Sequence, residues 1–178
     1  MDFPVFDLHC DTADVLIGAD GAAPAPLRKN NAHIDLERAS SLSGFAQCFA
    51  CFTTTDANPM RAVELFEKKL ASVIGEVEKN GDLIRIAYTA EEIEQNRNDG
   101  IMSAILTIEG PAGFGFDPEL LQDLYSIGFR ITSLGWNEKN PLTGSHITGG
   151  GLTEQGREYV KEAQRLGMLV DVSHISDE

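Results

Sequence analysis

The chain has 178 residues, 42% of them hydrophobic and 24% charged, which is the composition of a globular protein with one sizeable core. Its net charge of −14 argues against a nucleic acid or an anionic membrane surface as a partner, because both recruit clustered Lys and Arg. The sequence contains no apolar run of about 18 residues, so we expect no transmembrane helix. It has no basic start before an apolar stretch, so we expect no signal peptide.

The first predicted strand spans residues 5–11 and carries three ionisable side chains at alternate positions. Asp7, His9 and Asp11 share one face of such a strand, because side chains two residues apart point the same way. Carboxylates on a half-buried face need a partner, and a divalent cation satisfies an imidazole and a carboxylate together. Two interpretations stay open for this segment, a metal site and an edge strand with a solvent-facing side.

A loop rich in Gly, Ala and Pro follows at 18–26, and the second predicted strand spans 45–53. This strand carries Cys48 and Cys51, which point to opposite faces of an extended chain. That geometry does not suit a zinc or redox pair, and three cysteines, an odd number, do not form a disulfide framework. We expect buried free thiols and a cytoplasmic protein.

Helices and strands alternate through the rest of the chain. The helix starts carry capping residues, Asn58 before Pro59 and a capping box at Thr89, and glycines follow the helix ends. The predicted helices span 59–79, 90–99, 118–127 and 154–166, and the predicted strands span 83–88, 102–108, 129–134 and 168–172.

This alternation predicts a parallel α/β fold. The fourth and sixth strands are continuous apolar runs, which is typical of strands covered on both faces. Neither a GxGxxG nor a Walker sequence follows a strand, so nucleotide-binding doubly wound folds are less favoured than an open sheet or a (β/α)8 barrel. Six strands are countable where a barrel has eight. Residues 1–178 are therefore expected to form an incomplete metal-dependent hydrolase barrel, with the remaining strands beyond 178.

Polar side chains follow three of the predicted strands. His9 and Asp11 follow the first strand, Glu109 the fourth and His174 the sixth. In parallel α/β folds the chemistry gathers at the carboxyl ends of the strands. Mixed nitrogen and oxygen donors suit zinc or a similar divalent ion, and a glutamate between two such groups can bridge two ions about 3.5–4 Å apart.

Each of these residues also has a plainer interpretation. Glu109 could be a helix N-terminal or surface carboxylate, and His174 could be an ordinary loop histidine. For Asp7 and Asp171 we favour a supporting role, in which they orient the ligands by hydrogen bonds.

Two further features lie in loops. His33 and His146 are interpreted as ordinary loop histidines. The three glycines at 149–151 are compatible with an anion-binding nest and with a mobile active-site loop.

At these residues the sequence resembles the membrane dipeptidase (renal dipeptidase) family of zinc metallopeptidases. The matching segments occur in the family's order along the whole chain. They are FDLHCDT at 6–12, GFAQCF at 44–49, IEG at 108–110, TSLGWNEKN at 132–140, GGLTEQG at 150–156 and LVDVSH at 169–174.

The resemblance implies a (β/α)8 barrel with two Zn²⁺ ions. It places His9, Asp11 and Glu109 on one ion and Glu109 and His174 on the other, with Asn137 of the fifth-strand motif as a substrate contact. Other divalent metals remain alternatives. The activity it implies is hydrolysis of dipeptides, including some with a D-residue at the C-terminal position. A hydroxide shared by the two ions attacks the peptide carbonyl.

The sequence departs from the family pattern in two ways. A further zinc-binding histidine, an arginine for the substrate carboxylate and a catalytic aspartate would all lie beyond Glu178. In addition, Leu134 stands where some members carry a substrate-contacting histidine, which leaves the substrate preference open.

The leading hypothesis is a metal-dependent dipeptidase acting on small dipeptides. The alternatives are a related binuclear hydrolase acting on another amide, an ester or a lactone, and a non-catalytic homologue that serves as a binding module. We expect the 178-residue chain alone to be inactive. A homo-oligomer is compatible with its open strand edges, which invite association.

Overall fold

The computed structural model describes residues 3–55 and 58–178. The chain divides into two compact units, the first formed by Met1–Cys51 and Lys68–Leu106 and the second by Phe52–Glu67 and Thr107–Glu178.

All of the predicted strands and helices occur in the predicted order. The strands are β1 (Val5–Asp7), β2 (Phe45–Phe52), β3 (Ile84–Ile86), β4 (Met102–Glu109), β5 (Phe129–Ser133) and β6 (Leu169–Asp171). The helices are α1 (Thr12–Ile17), α2 (Leu36–Ala39), α3 (Pro59–Lys79), α4 (Ala90–Asn98), α5 (Leu121–Ile127) and α6 (Glu154–Leu166). The predictions missed the two short helices α1 and α2, which have too few residues to show a period.

The first unit is built on parallel strands. The strand order is β1-β2-β4, and β3 also pairs with β4. Phe6 lies opposite Ala46, and Arg85 lies opposite Ser103. The interior of β2 is fully buried, as a parallel strand covered on both faces requires.

The start of the first unit differs from the predicted strand over 5–11. Strand β1 ends at Asp7, whose Oδ1 accepts a hydrogen bond from the His9 N–H at 3.2 Å, so the backbone turns there. His9 and Asp11 therefore lie just past the strand end, and Asp11 directly precedes α1.

Helix α3 begins and ends where its signals predict. The Asn58 Oδ1 accepts a hydrogen bond from the Met60 N–H at 2.9 Å, and the helix ends at Lys79 before Gly81. The buried stripe is apolar except at Lys69, which is only 4% exposed. A charged residue at this position was not expected from the periodicity.

Helix α4 opens with the predicted capping box. The Thr89 hydroxyl accepts from the Glu92 N–H, and the Glu92 carboxylate accepts from the Thr89 N–H. These bonds satisfy two amide groups that a helix start otherwise leaves without partners.

The second unit contains the end of β4 together with β5 and β6, in the order β4-β5-β6. Aromatic side chains fill its core. The Phe66 ring stacks on Phe129 at 5.6 Å between centroids, and Phe114 stacks on Tyr159 at 6.4 Å. The buried Tyr159 hydroxyl lies 2.7 Å from Thr132 Oγ1, and burial raises the pKa of Tyr159.

The two strands that were predicted to be covered on both faces differ. Every residue of β4 is buried, which confirms the prediction for that strand. For the sixth strand the prediction is wrong, because Leu169 is 65% exposed and Val172, just after the strand, is 64% exposed. Helix α6 packs against β6 but leaves these two side chains exposed.

Helix α6 has the predicted caps. The Thr153 Oγ1 accepts from the Gly156 N–H at 3.0 Å, and Gly167 takes a left-handed conformation with φ 80° at the end. No helix within 3–55 and 58–178 combines the length and the apolar character needed to cross a bilayer.

The cysteines are free and buried, as predicted. Burial raises the pKa of the Cys10 thiol to about 11 and that of the Cys51 thiol to about 12.

Candidate metal centre

In the first unit, His9 and Asp11 form a close pair just past β1. The His9 Nε2 lies 3.4 Å from the Asp11 Oδ1, and both side chains are open to solvent, 44% and 63% exposed. The hydrogen bond from His9 lowers the pKa of the Asp11 carboxyl, and the charge of Lys69 adds to this effect. Asp11 is therefore held as a carboxylate, the form that binds cations.

A buried ion pair in the same unit supports this segment. The Lys69 Nζ of α3 lies 2.5 Å from the Asp14 Oδ1 of α1. Because Asp14 lies one turn after Asp11, this bond ties the helix that follows the His9–Asp11 pair to the buried face of α3. Sequence analysis missed this contact, and a lysine within an otherwise apolar stripe was the signal.

In the second unit, Glu109 and His174 form a second pair of the same kind. The Glu109 Oε1 lies 3.7 Å from the His174 Nε2. Glu109 is the last residue of β4 and is 8% exposed, whereas the His174 side chain is 35% exposed. The sequence interpretation of Glu109 as a surface carboxylate is therefore excluded by its burial.

The backbone around Glu109 is held by several hydrogen bonds. Its carbonyl oxygen accepts from the Thr53 N–H at 2.9 Å. The Thr53 Oγ1 in turn donates to the Gly110 carbonyl at 2.5 Å, and the Gly110 N–H donates to the Ser133 Oγ at 3.0 Å. Thr53 and Ser133 were missed as support for Glu109, because nothing local in the sequence links them to it.

Gly110 lets the chain turn immediately after Glu109. Its φ is 73°, and a Cβ at this position would lie 2.0 Å from the Thr53 carbonyl oxygen. Only glycine fits both the left-handed conformation and this close approach.

The loop between β5 and α6 surrounds His174. The Asn137 Oδ1 lies 3.2 Å from the His174 Nδ1, and the Trp136 ring lies beside the imidazole at 6.3 Å between centroids. The His174 carbonyl accepts from the His146 N–H at 2.8 Å, and the His146 Nδ1 lies 3.1 Å from the same oxygen. His146 thus contacts a candidate ligand and is more than the ordinary loop histidine expected, whereas His33 is exposed.

Asp7 and Asp171 make the same local bond in their two units. The Asp7 Oδ1 accepts from the N–H of His9, and the Asp171 Oδ1 accepts from the N–H of Ser173 at 2.8 Å. Each carboxylate thus shapes the backbone that carries a candidate ligand, although neither bond reaches an imidazole nitrogen.

The segment of three glycines at 149–151 contacts the side-chain carboxylate of Glu178. The Gly150 N–H donates to the Glu178 Oε2 at 2.9 Å, and the Ser176 Oγ donates to the Gly150 carbonyl at 2.8 Å.

Leu134, at the position linked to substrate preference, is 1% exposed and packs in the core.

The donor sets fit a divalent metal. Each pair offers one imidazole nitrogen and one carboxylate, the mixture that zinc accepts. Two donors bound to one tetrahedral zinc ion at about 2.0–2.2 Å lie roughly 3.4 Å apart. The separations of 3.4 Å for His9 and Asp11 and 3.7 Å for Glu109 and His174 are close to that value.

Comparison with known proteins identifies the family of the chain. The family model described as "Membrane dipeptidase (Peptidase family M19)" matches residues 1–178. An uncharacterized dipeptidase of Schizosaccharomyces pombe is 31% identical over 161 residues, which cover 81% of this chain and 38% of the relative. The dipeptidase verJ of Clonostachys rogersoniana is 30% identical over 104 residues, covering 56% of this chain and 27% of that protein.

Solved structures share the fold. A metallo peptidase of Rhodobacter sphaeroides, liganded with a phosphinate mimic of the dipeptide L-Ala-D-Ala, superposes with a TM-score of 0.84 at 23% identity, covering 99% of this chain and 60% of that one. The dipeptidase AC, a metallo peptidase of family M19, has a TM-score of 0.82 at 25% identity, covering 99% and 58%. The predicted (β/α)8 class is confirmed, and the chain spans less than half the length of the two curated relatives named above.

Proposed function

The chain belongs to the membrane dipeptidase family, peptidase family M19, and on that premise we propose that it carries the metal site of a dipeptidase. The proposed ligands are His9, Asp11, Glu109 and His174. The observation that carries the proposal is the buried carboxylate of Glu109, facing an imidazole nitrogen at 3.7 Å where β4 ends. Burying a carboxylate in this way is costly unless a cation or hydrogen bonds compensate for the lost hydration.

The proposed site holds two divalent ions, with zinc as the expected metal. His9 and Asp11 would hold one ion and His174 the other, with Glu109 as a ligand shared by both, as the resemblance implies. The imidazole and carboxylate groups of these side chains are donors that zinc accepts, which supports the assignment. When bound, the ions supply Lewis acidity and activate a water molecule for attack on the peptide carbonyl.

The remaining steps belong to the chain's own side chains. Glu109 is the catalytic carboxylate of this proposal because, as a shared ligand, it would hold the ions that activate the water. The proton of that water would pass to the catalytic aspartate expected beyond Glu178. Asn137 offers the N–H donors of its side-chain amide to the substrate, while its Oδ1 lies beside His174. The Trp136 ring, packed edge-on against Phe52 at 5.2 Å, forms an apolar wall beside these groups.

Dipeptides are the proposed substrates. The Rhodobacter sphaeroides metallo peptidase was crystallised with a mimic of L-Ala-D-Ala, which supports a dipeptide with a D-residue as the first compound to test. A related amide, an ester or a lactone is the alternative substrate, and a non-catalytic binding module is the alternative role.

We place residues 1–178 in the first six strands of an eight-stranded barrel. The chain covers 58–60% of the two solved relatives, which leaves room for two more strands and their helices in a protein of that size. Those strands would contribute the further histidine, arginine and aspartate of the family. The chain alone would then be inactive, and its exposed edge strand β6 would favour self-association.

The proposed location is the cytoplasm. The three cysteines are free, which is the state that a reducing compartment maintains.

The test is metal analysis of the intact protein, which includes the strands expected beyond Glu178, combined with hydrolysis of a dipeptide panel that includes L-Ala-D-Ala. Bound zinc and turnover are expected. The variant Glu109→Gln should lower kcat/KM roughly a thousandfold or more, because the site loses its bridging charge. The matched control is Glu119→Gln, which removes an exposed carboxylate and should leave the rate unchanged.

Each other outcome identifies a different function. Turnover of lactones or other amides without dipeptide hydrolysis would replace the dipeptidase proposal with a different hydrolase. Absence of both metal and turnover in the intact protein would favour the binding module.

A further inference from the structure

The backbone of His174 has an uncommon conformation. Its φ is 68°, in the left-handed region that side chains other than glycine rarely adopt. The backbone N–H and the Nδ1 of His146 both contact the carbonyl oxygen of His174. Ile175, the residue after His174, forms an antiparallel bridge with Ser145. Such a conformation persists only when surrounding contacts hold it in place. Residues in such conformations are concentrated at functional sites.

The imidazole of His174 is held as well. Its Nδ1 lies 3.2 Å from the Oδ1 of Asn137, and an amide oxygen can only accept a hydrogen bond. A hydrogen bond between these two atoms places the hydrogen on Nδ1. A neutral imidazole has a single N–H, so Nε2 is left with its lone pair, and Nε2 is the atom that faces Glu109.

Asn137 is itself fixed in place. Its backbone carbonyl accepts a hydrogen bond from the Oγ of Ser145 at 2.6 Å, and Ser145 is 1% exposed. The same Ser145 bridges to Ile175, so one buried residue holds both the segment that carries Asn137 and the segment that carries His174.

From these contacts we propose that Asn137 is a positioning residue that selects the Nδ1–H tautomer of His174 and so prepares Nε2 to bind a metal. This role differs from the substrate contact expected for Asn137, and the two are compatible because they use different atoms of the amide. The use of Nε2 rests on the proposed function, whereas the tautomer itself does not depend on any metal.

The test is the tautomer of His174 in the protein stripped of metal by a chelator. Long-range 1H–15N correlation spectra distinguish Nδ1–H from Nε2–H, and the chain has only four histidines to assign. The signal of His174 is identified by its loss in His174→Gln. The expected result for the unaltered protein, at a fixed pH where imidazoles are neutral, is a predominance of Nδ1–H.

Two substitutions isolate the role of the amide oxygen. Asn137→Leu has a similar size but no acceptor, and it should shift His174 toward Nε2–H and weaken zinc binding by about 10- to 100-fold. Asn137→Asp keeps an acceptor oxygen and should keep the Nδ1–H form. Circular dichroism checks that both variants are folded.

The outcomes separate this inference from the proposed function. A predominance of Nε2–H in the unaltered protein, or an unchanged tautomer in folded Asn137→Leu, overturns the role of Asn137 even if the protein binds zinc and cleaves dipeptides. An Nδ1–H tautomer that is lost in Asn137→Leu and kept in Asn137→Asp supports it, even in a protein that binds no zinc. If Asn137→Leu does not fold, the spectrum of the unaltered protein and of Asn137→Asp decides.

Discussion

The ammonium group of Lys69 lies 2.5 Å from the carboxylate of Asp14, and the lysine is 4% exposed. A buried charge that loses its partner costs much more than a surface pair contributes. This contact therefore contributes to the stability of the first unit.

We predict that Asp14→Asn lowers the free energy of unfolding by about 2 kcal/mol or more, since the buried Lys69 ammonium loses the carboxylate that lies 2.5 Å from it. Urea unfolding at neutral pH measures the change. The control is Glu37→Gln, which breaks the exposed pair of Lys29 and Glu37 and should have a much smaller effect, because solvent screens this pair. Equal effects in the two variants would contradict the buried-pair argument.

The glycine after Glu109 should not tolerate a side chain. Gly110→Ala places a Cβ 2.0 Å from the Thr53 carbonyl oxygen at a φ of 73°, so we expect a loss of roughly 3 kcal/mol or more in unfolding free energy. Gly115→Ala is the matched control, because its φ is 69° and nothing lies within 4 Å. It should cost only about 1–2 kcal/mol. Thermal unfolding of both variants measures these losses. The cost of the left-handed backbone conformation is common to both, and the difference between them is the cost of the steric clash.

Asp35 should contribute stability that depends on pH. Burial alone would raise the pKa of Asp35, but hydrogen bonds from the N–H and Nε of Arg38 outweigh it and hold the pKa below its ordinary value. A carboxyl whose folded pKa is depressed stabilises the fold above its unfolded pKa, about 3.9, and loses this contribution as the pH falls through the folded value.

The comparison of the unaltered protein with Asp35→Asn tests this. Asparagine still caps α2 but carries no charge. We expect a constant difference in unfolding free energy between pH 5 and 7, on the order of 1 kcal/mol, that shrinks below about pH 4. A difference in unfolding free energy that grows as the pH falls would contradict a lowered pKa of Asp35 in the folded protein. Asp123→Asn, an exposed substitution, serves as the control.

The thiols should be nearly inert in the folded protein. Burial raises the pKa of Cys10 to about 11 and that of Cys51 to about 12, so little thiolate forms at pH 8. We expect a disulfide reagent to modify the native protein at roughly one hundredth of the rate in 8 M urea, or slower. Rapid reaction of one thiol in the native state would show that it is accessible.

Local pattern was a good guide to the elements of this chain. The span 59–79 predicted for α3 is the observed one, and the capping box at Thr89 is present. The first strand was predicted to extend to Asp11 but ends at Asp7, because the Asp7 side-chain carboxylate accepts a hydrogen bond from the His9 N–H. Alternation of polar and apolar residues cannot distinguish a strand from a turn of this kind.

The sequence alone determined the order of the elements, the parallel α/β class and the polar residues at the strand ends, because these depend on periods and caps that act over a few residues. The tertiary structure decided which way His174 presents its ring, how Lys69 is neutralised and which strand face stays exposed. Each of these depends on a partner far away in the chain, such as Asn137 at 37 residues from His174. Such contacts form only when the chain folds, and no local preference specifies them.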